Sequence, residues 1–248
     1  MWDNPRLLNA AANTLLALVA TAFVYAGLQA LARSSLFPLR DLVVGGSLRH
    51  TSKAQIERVT AGFGGNFFAA DLPALRARLE TLPWVRRVEV RRVWPDRVEV
   101  ALEEHVALAR WGLVGADFQS VGLVNTFGEP FAGDLDDALA GQLPLFAGPA
   151  HTEREVARRY QRFAGILQPL GEAPERVILT PRHAWQLRTA GGLHLELGRD
   201  GAEPVEARLA RFVAAHPSTL GRLPPAATRH VDLRYPNGFV LRVPEWKG

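Results

Sequence analysis

The chain has no cysteine among its 248 residues. That excludes disulfide frameworks, cysteine-ligated zinc and thiol catalysis. It leaves the compartment open, since a thiol-free chain suits an oxidising environment without requiring one. Lysine is almost as scarce: only Lys53 and Lys247 occur, so 27 of the 29 basic residues are arginine. The pI near 10.1 therefore reflects a small excess of groups that do not titrate, because 29 positive side chains face 25 negative ones. The exterior is mixed in sign, not basic. Catalytic signatures are missing too. There is no G-x-x-x-x-G-K-[ST], H-E-x-x-H, G-x-S-x-G or S-x-x-K. Gly62-Phe63-Gly64-Gly65 lacks the strand-to-helix spacing of a dinucleotide loop. The histidines (His50, His105, His151, His183, His194, His216 and His230) are scattered, and none stands four residues from another as a metal-binding helix needs. Glu103-Glu104 and Asp136-Asp137 read as surface pairs, not acid/base dyads. These absences argue against an enzyme and imply no cofactor and no metal. At 48% hydrophobic and 22% charged, the composition is that of an ordinary globular chain with room for one or two domains.

What is present begins with a long apolar run. Leu7 to Ala32 carries no charge and is bounded by Arg6 and Arg33. As a helix these residues span roughly 39 Å, more than the ~30 Å of a hydrocarbon core. The run exceeds the ~7–15 apolar residues of a signal peptide, although Ala30-Leu31-Ala32 mimics a cleavage site. The reading is a permanent single-pass anchor, with residues 1–6 as a short tail and 7–33 as the span. The flanking arginines are too evenly placed to orient it. Asn9, Asn13, Thr21, Tyr25 and Gln29 recur at four-residue steps, with Ala17 in the gap. Each step overshoots a turn by ~40°, so they trace a spiral, either scattered polar residues or a helix–helix contact in the membrane.

Residues 34–106 read as a small α+β unit. Phe37–Val44 is β-rich and ends at Gly45-Gly46. Ser52 with Gln55 forms a capping-box pattern ahead of a helix with Ile56 and Val59 inward. Asp71 caps a second helix, with Leu72, Leu75, Leu79 and Leu82 on one stripe and Pro83 as its stop. Val85–Glu104 is a hairpin around Trp94-Pro95-Asp96-Arg97. A three-residue loop, Pro95–Arg97, pairs Trp94 with Val98 and Val90 with Leu102, and places Glu89 opposite Glu103. Arg86, Arg87, Arg91 and Arg92 share the hairpin with Glu89, Glu99 and Glu103, which reads as a solvated face and not a nucleic-acid site.

A single span followed by strand-helix-helix-strand-strand and LPWVRRVEVRRVWPDRVEVALEEHVALARW (Leu82–Trp111) resembles the FtsQ/DivIB family of bacterial cell-division proteins. The resemblance makes residues 34–106 a POTRA domain.

Residues 107–248 form a second unit. Trp111–Phe131 holds short β segments with a turn at Phe127-Gly128-Glu129. Leu143-Pro144-Leu145-Phe146 with Gly148-Pro149 reads as a loop packing on a core. Thr152 and Glu155 form a second capping box, and the helix they open buries Val156, Tyr160, Phe163 and Leu167. Its Arg154, Arg158, Arg159 and Arg162 read as a solvated face. Strands follow at 177–180, 185–189 and 193–197, then a helix over 203–216 with Val205, Leu209, Phe212 and Val213 inward. The chain closes on a hairpin, 228–235 and 239–243, around Pro236-Asn237-Gly238. A three-residue loop pairs Tyr235 with Phe239, Leu233 with Leu241 and Val231 with Val243, sets Asp232 against Arg242, and gives Gly238 the left-handed turn position. The last strand is placed at a sheet edge, and Pro244 blocks pairing beyond it. Such an edge is a liability or a docking site for a partner strand.

LELGRDG…RLARFVAAHP…VDLRYPNGF resembles the family's C-terminal β domain. The predicted fold class is therefore α+β: one transmembrane helix, a POTRA domain, then a mostly antiparallel sheet with two helices. The resemblance implies that the last strand receives a strand from FtsB, itself held with FtsL. Contacts carried over fall on His230, Tyr235, Asn237, Gly238 and Phe239, with Arg182 pairing an acidic partner residue. Arg242 and Val243 lie on the same strand. Val243 stands where the family often has tryptophan, and Trp246 is the nearest substitute. The resemblance also implies a cytoplasmic N-terminus, residues 34–248 in the periplasm, enrichment at the septum, and further division proteins meeting the POTRA unit and the span. Two other readings are a POTRA-bearing assembly or secretion factor, which lacks the expected repeats and barrel strands, and a membrane-anchored cell-wall enzyme.

Overall fold

The computed structural model describes residues 5–32, 34, 36–113, 120–218, 229–235 and 238–242. The chain forms two compact units, residues 1–104 and 105–248.

In the first unit, α1 (Pro5–Ala32) contains a 24-residue stretch, Leu8–Leu31, long and apolar enough to cross a membrane. Its large side chains are exposed, as lipid contact requires. Two members of the polar spiral are tied together along the helix, since Gln29 Nε2 donates to Tyr25 Oη at 3.0 Å. The Thr21 hydroxyl donates to the Ala17 carbonyl at 2.8 Å.

Next come β1 (Asp41–Gly45), α2 (Lys53–Thr60), α3 (Leu72–Leu79), β2 (Val85–Val93) and β3 (Arg97–Glu104). The sheet order is β1-β3-β2, with β1 parallel and β2 antiparallel to β3. Both predicted caps form: Ser52 and Gln55 complete the box, and Asp71 accepts the Ala74 N–H at 2.9 Å. Ile56, Leu75, Leu79 and Leu82 close over Val85, Val88, Val98, Val100 and Leu102.

The hairpin register departs from expectation by two residues. Val93 pairs with Arg97 and Val90 with Val100, so the loop is Trp94–Asp96. A shift of two keeps every side chain on its face, so the apolar pattern could not detect it. Charge decides it. The expected register sets Glu89 against Glu103, whereas the observed one sets Arg87 against Glu103 and Arg91 against Glu99. Arg91 Nη2 lies 2.6 Å from Glu99 and Arg86 Nη1 2.8 Å from Glu103. Arg92, although exposed, is not merely solvated, for it donates to the carbonyls of Phe67 and Ala70. Trp94, expected among the strand's apolar residues, is 73% exposed at the turn.

Glu104, at the end of β3, closes the unit. The N–H groups of Arg49 and Thr51 donate to its carboxylate at 2.8 and 2.7 Å, and that of His50 at 3.2 Å. Burial opposes its charge, but the Thr51 hydroxyl beside it and these N–H groups win and hold its pKa below the usual value.

The second unit contains β4 (Ala107–Leu113), β5 (Ser120–Asn125), β6 (Pro130–Phe131), α4 (Asp137–Gln142), β7 (Leu145–Gly148), α5 (Glu153–Leu167), β8 (Pro174–Leu179), β9 (Ala184–Thr189), β10 (Leu193–Arg199), α6 (Val205–Ala215), β11 (Arg229–Asp232) and β12 (Val240–Arg242). The nine strands among its described residues form one sheet, ordered β12-β11-β10-β9-β8-β7-β4-β5-β6. Five of the eight pairings are antiparallel; β4–β7, β7–β8 and β10–β11 are parallel. The apolar faces of α5 and α6 cover one sheet face, burying Val156, Phe163, Leu167, Leu209 and Phe212 against Trp185, Leu195 and Val231.

Three expectations fail here. The stretch around Leu145 is not a loop but β7, buried throughout between β4 and β8. Four apolar residues between Pro144 and Pro149 look like loop punctuation, yet a strand covered on both faces needs no polar alternation. Thr152 makes no side-chain cap; its hydroxyl donates to the Pro149 carbonyl at 2.7 Å. Arg159 is not solvated. It lies over the Trp185 ring, 5.4 Å from its centre, and pairs with Asp200 at 2.5 Å and Glu206 at 2.6 Å. The short helix α4 is additional to the two expected.

Candidate functional site

The candidate site is the β12 end of the large sheet. Its groundwork is the α6 crossover that carries the chain from β10 to parallel β11. Arg208, nearly buried on α6, donates through its guanidinium to the carbonyls of Leu197, Arg199 and Glu203. This fixes the end of β10, where a bulge between Glu196 and Gly198 interrupts pairing with β9. Gly198 takes φ +74°, and a Cβ there would lie 2.9 Å from Arg234 Cγ, so two arginine side chains cross over a position that needs glycine.

β11 pairs with β10 in parallel and with β12 antiparallel, in the register His230–Arg242, Val231–Leu241, Asp232–Val240. This too is two residues from the expected pairing. Asp232 does not face Arg242. It is gripped by Arg234, whose Nη2 stands 2.5 Å from Oδ2, while the Arg234 N–H donates to Oδ1 at 3.0 Å. That turn ends β11 early and leaves Leu233–Phe239 as a longer connection. The Arg234 guanidinium holds the Asp232 carboxyl below the usual range, against its burial.

The direction of the free main-chain groups follows from one bond. The Leu233 N–H donates to the Glu196 carbonyl at 2.9 Å, so Leu233 and Val231 turn their main-chain groups toward β10. Successive strand residues alternate, so His230 and Asp232 face β12. Their partners Arg242 and Val240 face back. Leu241, in the non-hydrogen-bonded pair with Val231, directs its N–H and C=O away from β11. Among the described residues β12 has no other neighbour. Among these residues the edge is an unfilled ladder.

The sequence-derived site residues distribute unevenly around it. Phe239 precedes β12 and packs edge-on against buried Phe212, ring centres 5.4 Å apart. It is therefore partly a core residue, so an alteration there also loosens the domain. Tyr235 is 52% exposed, and its carbonyl accepts from Arg211 at 3.5 Å. Arg211 is itself held by Glu203 at 2.7 Å. A Cβ on Gly238 would meet open space. His230 is half-buried on the sheet face that the helices leave uncovered. Arg182 is exposed in the β8–β9 turn. Since Ala184 pairs with Arg199, that turn shares an end of the sheet with the 233–239 connection. It lies three strands, ~14 Å, from β12. Arg242 is placed by register alone, and Asn237, Val243 and Trp246 lie outside the described residues. Sequence reasoning missed Arg208, Arg211, Phe212 and Gly198 as the supports of the edge. The run RLARF held the signal, but only the fold shows which arginine turns inward.

No group of three or more histidine, aspartate or glutamate side chains able to hold a metal ion occurs among the described residues.

Comparison with known proteins gives concordant results. The FtsQ-type POTRA domain family matches residues 37–105, and the cell division protein FtsQ/DivIB C-terminal family matches residues 109–234. Proteins named cell division protein FtsQ are similar along nearly the whole chain. That of Nitrosospira multiformis is 39% identical over 98% of this chain and 99% of its own length. That of Burkholderia pseudomallei is 38% identical, covering 98% and 94%. That of Bordetella pertussis is 36% identical, covering 97% and 92%.

Proposed function

This chain belongs to the FtsQ/DivIB family of cell-division proteins, and on that premise we propose that it is a non-enzymatic, single-pass scaffold of the division machinery. It docks the FtsB/FtsL complex by adding a strand of FtsB to β12. The observation that carries the reading is the outward N–H and C=O of Leu241 on a strand that has one neighbour among the described residues. Unpaired main-chain groups on an edge are satisfied by an incoming extended segment, and side-chain pockets beside it select which one. Tyr235, Gly238 and Phe239 flank the edge, while Arg182 marks the same end of the sheet for a carboxylate. α1 places the two units beside the inner membrane, with the N-terminus cytoplasmic, residues 34–248 periplasmic and the protein concentrated at the septum. The docked complex connects it to septal peptidoglycan synthesis, and the POTRA unit and span meet further division proteins.

The test is co-purification. Full-length chain in detergent is mixed with tagged FtsB/FtsL, and capture is compared with that of a chain altered at the edge. Depletion in cells, with a tagged copy followed by microscopy, is expected to give filaments and mid-cell fluorescence. Undiminished capture of FtsB by an edge variant that is folded would refute strand addition.

A further inference from the structure

We propose that the end of the POTRA unit nearest α1 is a lipid-docking surface, seated in the headgroup layer of the bilayer through Leu36, Phe68 and Trp94. This rests on the reading of α1 as a membrane span. Beyond α1, the described residues of this unit leave four large apolar side chains exposed: Leu36 at 70%, Val43 at 45%, Phe68 at 47% and Trp94 at 73%. Scattered singly, such residues are ordinary; gathered, they mark a contact surface. Three of the four gather at this end, from three separate stretches of chain.

Hydrogen bonds bring those stretches together. The Leu39 N–H donates to the Gly65 carbonyl and the Phe67 N–H to the Phe37 carbonyl, both at 2.8 Å. The α2–α3 loop is thereby laid along the segment that leaves α1, and the Phe68 ring meets Phe37 edge-on, centres 5.1 Å apart. Phe67 is buried, so the loop keeps one ring inside and presents the next. The Trp94–Asp96 turn is tied to the same segment. The Asp96 carbonyl accepts the Arg40 N–H at 2.9 Å. Arg92, just before the turn, reaches the loop carbonyls of Phe67 and Ala70.

The tie to the span is short. The Ser34 N–H and hydroxyl both donate to the Leu31 carbonyl in the last turn of α1, at 3.1 and 2.7 Å. The Ser34 carbonyl accepts from the Asn66 amide, and Asn66 Oδ1 accepts the Phe68 N–H at 2.8 Å. One asparagine thus links the end of α1 to Phe68. Leu8–Leu31 is 24 residues long, roughly 36 Å of helix. The hydrocarbon core is ~30 Å thick, and ~40–45 Å with the headgroup regions. A centred span therefore ends about 3 Å into the headgroup layer, with Ser34 about 4–5 Å further, at its outer boundary. Groups bonded to Ser34 start from that depth. Tryptophan suits it, having an apolar body and a polar N–H. Charge is not the main attraction, because Arg40 has Asp96 at 3.8 Å and Arg97 has Asp41 at 3.6 Å. The occupant is the interface of any phospholipid, anionic or not. A second attachment holds the unit against the bilayer, where the span alone would let it swing.

The chain has no cysteine, so a single introduced thiol takes an environment-sensitive dye without background. Full-length Val19→Cys, Lys53→Cys, Phe68→Cys and Trp94→Cys are labelled separately and placed one chain per phosphatidylcholine nanodisc. Lys53 is the aqueous control: its side chain is 90% exposed, and it follows Thr51, which bonds Glu104 at the far end of β3, roughly 24 Å from Arg97. Headgroup-nitroxide lipid is expected to quench the labels at 68 and 94 at least about threefold more than the label at 53. The ratio is expected to hold with phosphatidylglycerol in the disc and in ~0.5 M salt. Adding Leu36→Glu and Phe68→Glu to the chain labelled at 94 is expected to bring quenching down to the level at 53, whereas Leu36→Met with Phe68→Leu keeps it. If acyl-chain nitroxide quenches the label at 19 but those at 68 and 94 are quenched no more than that at 53, the docking is wrong and the span stands. If the label at 19 also escapes, both are wrong. A blue-shifted label at 94 that lipid does not quench would mean that protein covers the surface, which also overturns the proposal.

Discussion

Leu241→Pro isolates the open edge from the fold that supports it. Proline removes the N–H of Leu241, which points away from β11, and leaves intact the inward groups of Val240 and Arg242 that pair with β11. Edge strands tolerate proline where the N–H faces outward. The variant loses the packing of a partly buried leucine against the core, about 1 kcal/mol, or roughly half a fully buried side chain. For a domain of this size that lowers the melting temperature by roughly 2–4 °C. An incoming strand loses one main-chain bond, worth about 1–1.5 kcal/mol and so about tenfold in affinity. It also meets the proline ring, so the loss exceeds that. Leu241→Ala is the matched control, because it gives up the same packing but keeps the N–H, and binding is expected within about threefold of the unaltered chain. Val240→Pro is the opposite control: its N–H faces β11, so it breaks the fold's own ladder and costs about 1–3 kcal/mol. Titration of full-length variants with FtsB/FtsL, beside thermal melts, separates the three. If Leu241→Pro binds as Leu241→Ala does, the edge is not where the partner strand adds.

Glu104→Gln is expected to destabilise the POTRA unit by about 2 kcal/mol, since charge-assisted bonds to three N–H groups weaken together. The folded pKa of Glu104 lies below its usual 4.5, so the unfolded chain binds more protons, and this stability is present above that value and lost as pH falls through the folded pKa. Urea denaturation from pH 7 to pH 3 should therefore show a shallower acid decline in the variant. Gly198→Ala is expected to cost about 1–2 kcal/mol through its positive φ and to displace Arg234; a melting temperature matching the unaltered chain would contradict the packing described. Phe212→Ala removes a fully buried ring and is expected to cost about 3–5 kcal/mol, weakening FtsB binding as well by releasing Phe239. Retained affinity at reduced stability would show that Phe239 is positioned without Phe212.

The sequence by itself determined what depends on near neighbours. The apolar run of α1, the Ser52 and Asp71 caps, and the buried stripes of α3, α5 and α6 follow from periodicities of one helix or one strand. The faces of both hairpins followed too, because a slip of one residue would expose their valines and leucines. Slips of two were invisible, since they preserve each face, and there Arg91–Glu99 in one hairpin and the Asp232–Arg234 turn in the other chose the register. The tertiary structure alone decided the rest. It inserted β7 between β4 and β8, turned Arg159 and Arg208 inward, and set which way Leu241 points. Those outcomes depend on which strands become neighbours, a property of long-range pairing that local sequence does not carry.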